Sequence, residues 1–161
     1  MVRKITSVLI ALFLIVTFIF PVSAESFSFV ADEAGLLSSE EAAVLEEKAA
    51  SLNSAYGIHA VILTVDSLGG SRPQDYADDY YDNAGFGDDG VLFLLAMEER
   101  DWYISTSGKL IYALTDYGIQ QIGEGAVSFF GDGAWYEGFC YFLDSLPSYL
   151  DALENDAPID G

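Results

Sequence analysis

Two apolar runs constrain this chain more than anything else in it. Ile58 to Val65 and Val91 to Met97 are aliphatic almost throughout. They lack the alternation of a strand that keeps one face in water, and suit strands covered on both faces of a sheet. Between them Pro73 opens a helical pattern that ends near Asn83-Ala84-Gly85. Tyr76, Ala77, Tyr80 and Ala84 form its inner stripe, and Asp75, Asp78, Asp79 and Asp82 its outer one. A strand–helix–strand unit of this length predicts two parallel strands joined by a right-handed crossover.

The remaining elements follow from local signals. Ser38-Ser39-Glu40-Glu41 has the spacing of a capping box, Ala42, Leu45, Ala49 and Leu52 recur at helical intervals, and Gly57 supplies the stop. After the polar turn Glu98-Glu99-Arg100-Asp101, Trp102 to Thr106 returns as the antiparallel arm of a hairpin. Thr115 or Asp116 caps a further helix through Ile119 and Ile122. A last helix runs from Ala134 to Leu153, with Trp135, Phe139, Phe142 and Leu146 as its stripe and Pro147 as an expected kink. The order predicts an α/β fold: a three-layer α/β/α sandwich with a small mixed sheet and helices on both faces.

Not all of the apolar content belongs to that fold. Arg3 and Lys4 precede an unbroken apolar run from Ile5 to Phe20, followed by Pro21-Val22-Ser23-Ala24. Residues 1–24 read as a secretory signal peptide cleaved after Ala24, with an uncleaved signal anchor as the alternative. The run is shorter than the roughly 20 residues of a spanning helix. Residues 25–153 then form one domain and 154–161 a polar tail. The expected location is secreted or extracytoplasmic, with membrane contact only through the leader or an anchor beyond Gly161. The formal net charge is −20. The leader holds two of the six basic residues and no acid, leaving Lys48, Arg72, Arg100 and Lys109 against 26 carboxylates. Such a surface repels nucleic acid and anionic lipid and attracts cations. Cys140 is the only cysteine and reads as a small core residue.

Chemistry is concentrated in Gly85-Phe86-Gly87-Asp88-Asp89-Gly90, a flexible acidic loop that feeds the second apolar run. The topology brings the segment Thr106 to Asp116 back to this end of the sheet, so Asp88, Asp89 and Asp116 can converge. Asp66 belongs to the opposite end. Asp32 joins the cluster only if the segment 27–37 folds back along the domain. An oxygen-only ligand set suits calcium or magnesium, although the spacing is not that of an EF-hand. Spacing alone leaves two readings open: a cation site, or a plain turn with a helix cap. His59, the only histidine, is expected to be structural, and no Gly-x-Ser-x-Gly elbow accompanies it.

From Phe29-Val30-Ala31-Asp32 to about Leu150 the chain resembles the TPM domain family of extracytoplasmic bacterial proteins and of the chloroplast lumen. The matching pieces are Val30-x-Asp32 with Leu36-Leu37-Ser38, Val61 to Val65 with Asp66-Ser67-Leu68-Gly69-Gly70, and Tyr76-Ala77. Gly85-Phe86-Gly87 with Asp89-Gly90-Val91-Leu92, Arg100, Thr106-x-Gly108 and Leu114-Thr115-Asp116 follow in order. The resemblance implies an α/β/α sandwich and an acidic patch that binds calcium in some members. Carried over by position, that patch is Asp32, Asp88 or Asp89, and Asp116. Some members are weak acid phosphatases; others assist membrane protein complexes or modulate a receptor.

One departure matters. Where many members continue with Gly-x-Gly-Leu-Glu, this chain has Ser107-Gly108-Lys109-Leu110-Ile111. Ile111 stands where the acid would be, and Lys109 adds a cation. The expectation is therefore a shallow calcium (or magnesium) site in an accessory domain that meets a membrane or extracytoplasmic protein. The alternatives are a weak phosphatase using an aspartate or a metal-held water, and a metal-free partner-binding domain using Tyr80, Tyr81, Trp102 and Tyr103. Lys109 neutralising the acidic cluster in place of a metal is the fourth reading.

Overall fold

Ser38 and Glu41 do what their spacing predicts. The Ser38 hydroxyl accepts from the Glu41 N–H, the Glu41 carboxylate accepts from the Ser38 N–H, and helix α1 (Ser39–Tyr56) begins there. It ends on Gly57, whose φ of 64° suits a residue without a Cβ. In this computed structural model residues 28–157 and residue 159 are described; the leader expected over 1–24 lies outside them.

Strand β2 (His59–Val65), helix α2 (Pro73–Asn83), strand β3 (Gly90–Ala96) and strand β4 (Asp101–Ser107) fall where the sequence places them. Strand β1 (Val30–Asp32) is an addition, too short to leave a pattern. The sheet order is β1-β2-β3-β4, with β1, β2 and β3 parallel and β4 antiparallel to β3. Three further helices complete the chain: α3 (Leu110–Ala113), also unexpected, α4 (Asp116–Phe130), capped by the Thr115 hydroxyl, and α5 (Trp135–Glu154). Helix α5 runs unbroken through Pro147.

Both faces of the sheet are covered, and the two layers are unequal. Ala60 and Ile62 of β2, Phe93 of β3 and Ile104 of β4 point toward α1, α3, α4 and α5. Phe93 is the hub, edge-on to Phe130, Phe139 and Phe142 at 5.3–6.0 Å between ring centres. Val61, Leu63, Leu92 and Leu94 point the other way, against α2 alone. The chain is therefore an α/β/α sandwich, as its apolar runs require.

This layering constrains handedness. The parallel strands step in one direction across the sheet, yet α1 and α2 lie on opposite faces. Two such crossovers have opposite hands, so one of them is left-handed, against the strong preference of βαβ units. The α2 stripe also needs correction. Tyr81, expected to be an exposed partner-binding aromatic, is only 6% exposed, because its hydroxyl reaches inward to the Gly87 carbonyl at 2.8 Å. Among the described residues no helix is long and apolar enough to cross a membrane.

Candidate functional site

The acidic loop is pinned from three directions. The Tyr81 hydroxyl donates to the Gly87 carbonyl at 2.8 Å, the Ser107 hydroxyl to the Asp88 carbonyl at 2.7 Å, and the His59 N–H to the Asp89 carbonyl at 2.9 Å. The Tyr81 phenol pays for this position with a pKa pushed up to about 12, first by burial and then by Asp89, Asp88 and Asp82. His59 lies under the loop between Phe29 and Phe86, with ring centres 5.9 Å from each. Its Nδ1 is buried and has no hydrogen-bond partner. A structural role fits that setting.

Asp89 is the centre of the site. The Lys109 backbone N–H donates to Asp89 Oδ1 at 2.7 Å, and the Lys109 ammonium lies 3.9 Å from Oδ2. That ammonium also donates to the Tyr56 carbonyl at 2.6 Å, at the C-terminal end of α1, where a helix presents free acceptors and partial negative charge. Lys109 thus joins the acidic loop to the foot of α1. Gly108 makes the approach feasible. Its φ is 59°, and a Cβ there would fall 2.1 Å from Asp89 Oδ1 and 2.5 Å from the Asp88 carbonyl. The excess of acid around a single lysine was visible in the sequence, but the steric demand on Gly108 was not, because nothing local sets it.

The four expected ligands do not gather. Asp88 and Asp89 lie at the N-terminal end of β3, beside the segment 107–109. Asp116 is exposed in the first turn of α4. Asp32 pairs in register with Thr64, five residues along β2 from the His59 that pairs with Gly90. At about 3.3 Å per residue this is the far end of the sheet, roughly 17 Å away. Its carboxylate is spent there, accepting from the Leu36 and Leu37 N–H groups at 3.0 and 2.8 Å and from the Thr64 hydroxyl. The described part of that segment, residues 28–37, does not fold back, so the positional carry-over of Asp32 to the acidic patch is corrected by the register of β1.

Nor does the loop fit a calcium ion as its resident group. Calcium takes six to eight oxygens at about 2.3–2.6 Å. Here three successive carbonyls already accept hydrogen bonds, and one carboxylate is committed to Lys109. Among the described residues no three His, Cys, Asp or Glu side chains are grouped to hold a metal.

The sequence profile of the TPM domain matches residues 30–149. The chain belongs to the TPM domain family. A search of curated proteins finds no match. Solved structures of similar fold include the N-terminal domain of a P. gingivalis protein, 23% identical, covering 83% of this chain and 87% of that one, with a TM-score of 0.66. The N-terminal domain of the cg2496 protein from Corynebacterium glutamicum is 17% identical over 90% and 95%, with a TM-score of 0.65. The BA42 protein of the psychrophilic bacterium Bizionia argentinensis is 16% identical over 77% and 86%, with a TM-score of 0.59. At these identities the likeness is one of fold. Within this TPM domain, Ile111 is 55% exposed on α3, and Tyr112 beside it is 71% exposed.

Proposed function

We propose that this TPM domain is an extracytoplasmic accessory module that binds a protein partner, and that Lys109 supplies internally the positive charge its acidic loop needs. The Lys109 ammonium between the Tyr56 carbonyl and Asp89 carries this reading. It neutralises the carboxylate that a metal would use and leaves α3, with Ile111 and Tyr112 facing solvent, fixed next to the loop. Export rests on the leader pattern of residues 1–24. Phosphoryl transfer wants positive charge around the reacting phosphate, and this loop offers one ammonium already in use.

A second reading keeps calcium. The Asp88 carboxylate is exposed and accepts no hydrogen bond among the described residues, so a loosely held, largely hydrated calcium ion at Asp88 is the competing proposal.

Thermal unfolding with and without millimolar calcium separates the two, because a ligand bound to the native state raises stability by mass action. Under the first reading the native protein shows no shift, and Lys109→Gln, which removes the ammonium beside Asp89 Oδ2, gains one. A shift in the native protein that disappears in Asp88→Asn favours the calcium reading. Steady hydrolysis of a generic phosphoester, lost in Asp88→Asn/Asp89→Asn, would overturn the non-catalytic assignment.

A further inference from the structure

At the other end of β3, the hairpin turn and the α4–α5 connection border a pocket of about 620 Å³ that opens to solvent. Met97, Trp102, Phe130 and Trp135 contribute its apolar wall, and Arg100 and Asp101 stand among its lining residues. The rings are held in place by one another: Trp102 stacks on Phe93 at 5.9 Å and Trp135 lies 5.4 Å from Phe130. A pocket of this size, apolar on most of its wall and with one cationic side chain beside Asp101, suits a small organic molecule better than an ion.

Among the described residues Arg100 is the cation without an ion-pair partner. Of the four basic side chains in the described residues, Lys48, Arg72 and Lys109 each lie within 4.0 Å of a carboxylate. Arg100 does not, although acids flank it in sequence. Glu99 is turned away, its Oε1 accepting from the Ser67 hydroxyl and the Leu68 N–H. Asp101 Oδ1 is turned back on the Trp102 N–H at 2.9 Å. The Arg100 backbone holds a left-handed φ of 51°, where glycine would sit without strain. Arg100 is exposed, has no carboxylate within 4.0 Å of its guanidinium and lines the same pocket as two indoles, so it is available to an anion that enters there.

We propose that this cavity binds a small monocarboxylate with an aromatic or aliphatic body. The planar guanidinium matches a carboxylate through two parallel hydrogen bonds, and the indoles take the apolar body. A net charge of −20 makes each further negative charge on the ligand costly, which selects a monoanion over a phosphate ester. The site lies at the opposite sheet end from the acidic loop, so the proposal stands apart from the reading of Lys109.

The two tryptophans lining the cavity are the only two in the chain, so their emission reports on it directly. The purified protein is titrated with phenylacetate and with the neutral isostere phenylacetamide, following tryptophan fluorescence. Saturable change with phenylacetate, at an affinity at least about tenfold above that for the amide, is expected. Arg100→Gly should remove that preference while leaving the thermal unfolding transition in place, since glycine accepts the left-handed turn. Equal affinities for acid and amide, no saturable change with either, or a preference that survives Arg100→Gly would each overturn the proposal.

Discussion

Gly108 shows how one residue can be fixed by its neighbours' oxygens. A methyl group there meets Asp89 Oδ1 and the Asp88 carbonyl well inside contact distance, at a φ that L side chains avoid. The left-handed conformation alone costs about 1–2 kcal/mol, and the clash adds to it. Gly108→Ala is expected to lose about 2–4 kcal/mol in urea unfolding, with the Lys109–Asp89 hydrogen bond opened. Tyr81 carries a pH signature at the same loop. Its phenol titrates near 10 when unfolded and near 12 when folded, chiefly through burial. The folded state favours the neutral phenol, so this stability is fully present below about pH 10 and is lost as pH rises toward about 12. Denaturant unfolding at about pH 9 and about pH 11.5 should show a larger loss for the native protein than for Tyr81→Phe. An equal loss would remove Tyr81 from the alkaline transition.

At the scale of elements, the pieces legible in the sequence are those whose determinants are local. The capping box at Ser38 and Glu41, Pro73 at the first position of α2, and Thr115 before α4 each mark a boundary within a turn of it. Strand β1 has no such determinant. It exists because Glu46 of α1 reaches across, its carboxylate accepting from the Phe29 and Val30 N–H groups at 2.9 Å each. The bonded residues are 16 and 17 positions apart, beyond the reach of any periodicity. The burial of Tyr81 escapes the helix pattern for a related reason: its partner, the Gly87 carbonyl, belongs to the loop after the helix. Glu46→Ala should therefore release β1 while α1 persists. Amide exchange at Phe29 and Val30 should speed strongly with Ser38–Glu41 protection retained, at a cost of about 2 kcal/mol for two charge-assisted bonds. Unchanged exchange at those two amides would mean that pairing with β2 alone holds the strand.

The fold places Asp88 and Asp89 at one end of the sheet and Asp32 and Asp66 at the other, and this decides the fate of the candidate site. Topology read from the sequence separated the two ends correctly: strand direction puts Asp88 and Asp89 at one edge and Asp66 at the other. Family position then moved Asp32 into the patch, and only the register of β1 against β2 returns it to the Thr64 end. Position in a motif reports that a residue matters, without saying for what. Here Asp32 ties down the turn that leads into α1, with three hydrogen bonds on one carboxylate. Asp32→Ala would strip acceptors from two backbone N–H groups and from the Thr64 hydroxyl. Loss of charge-assisted bonds of this kind amounts to about 3 kcal/mol, so the thermal midpoint should fall by several degrees, while the response of the protein to calcium stays as in the native chain. Asp88→Asn should leave stability near native, because that carboxylate is exposed and accepts no hydrogen bond among the described residues, and under the calcium reading it alone should remove the response. A ligand role for Asp32 would make both substitutions change the calcium response together. Separation of the two effects is the outcome that a sheet about 17 Å long between them requires.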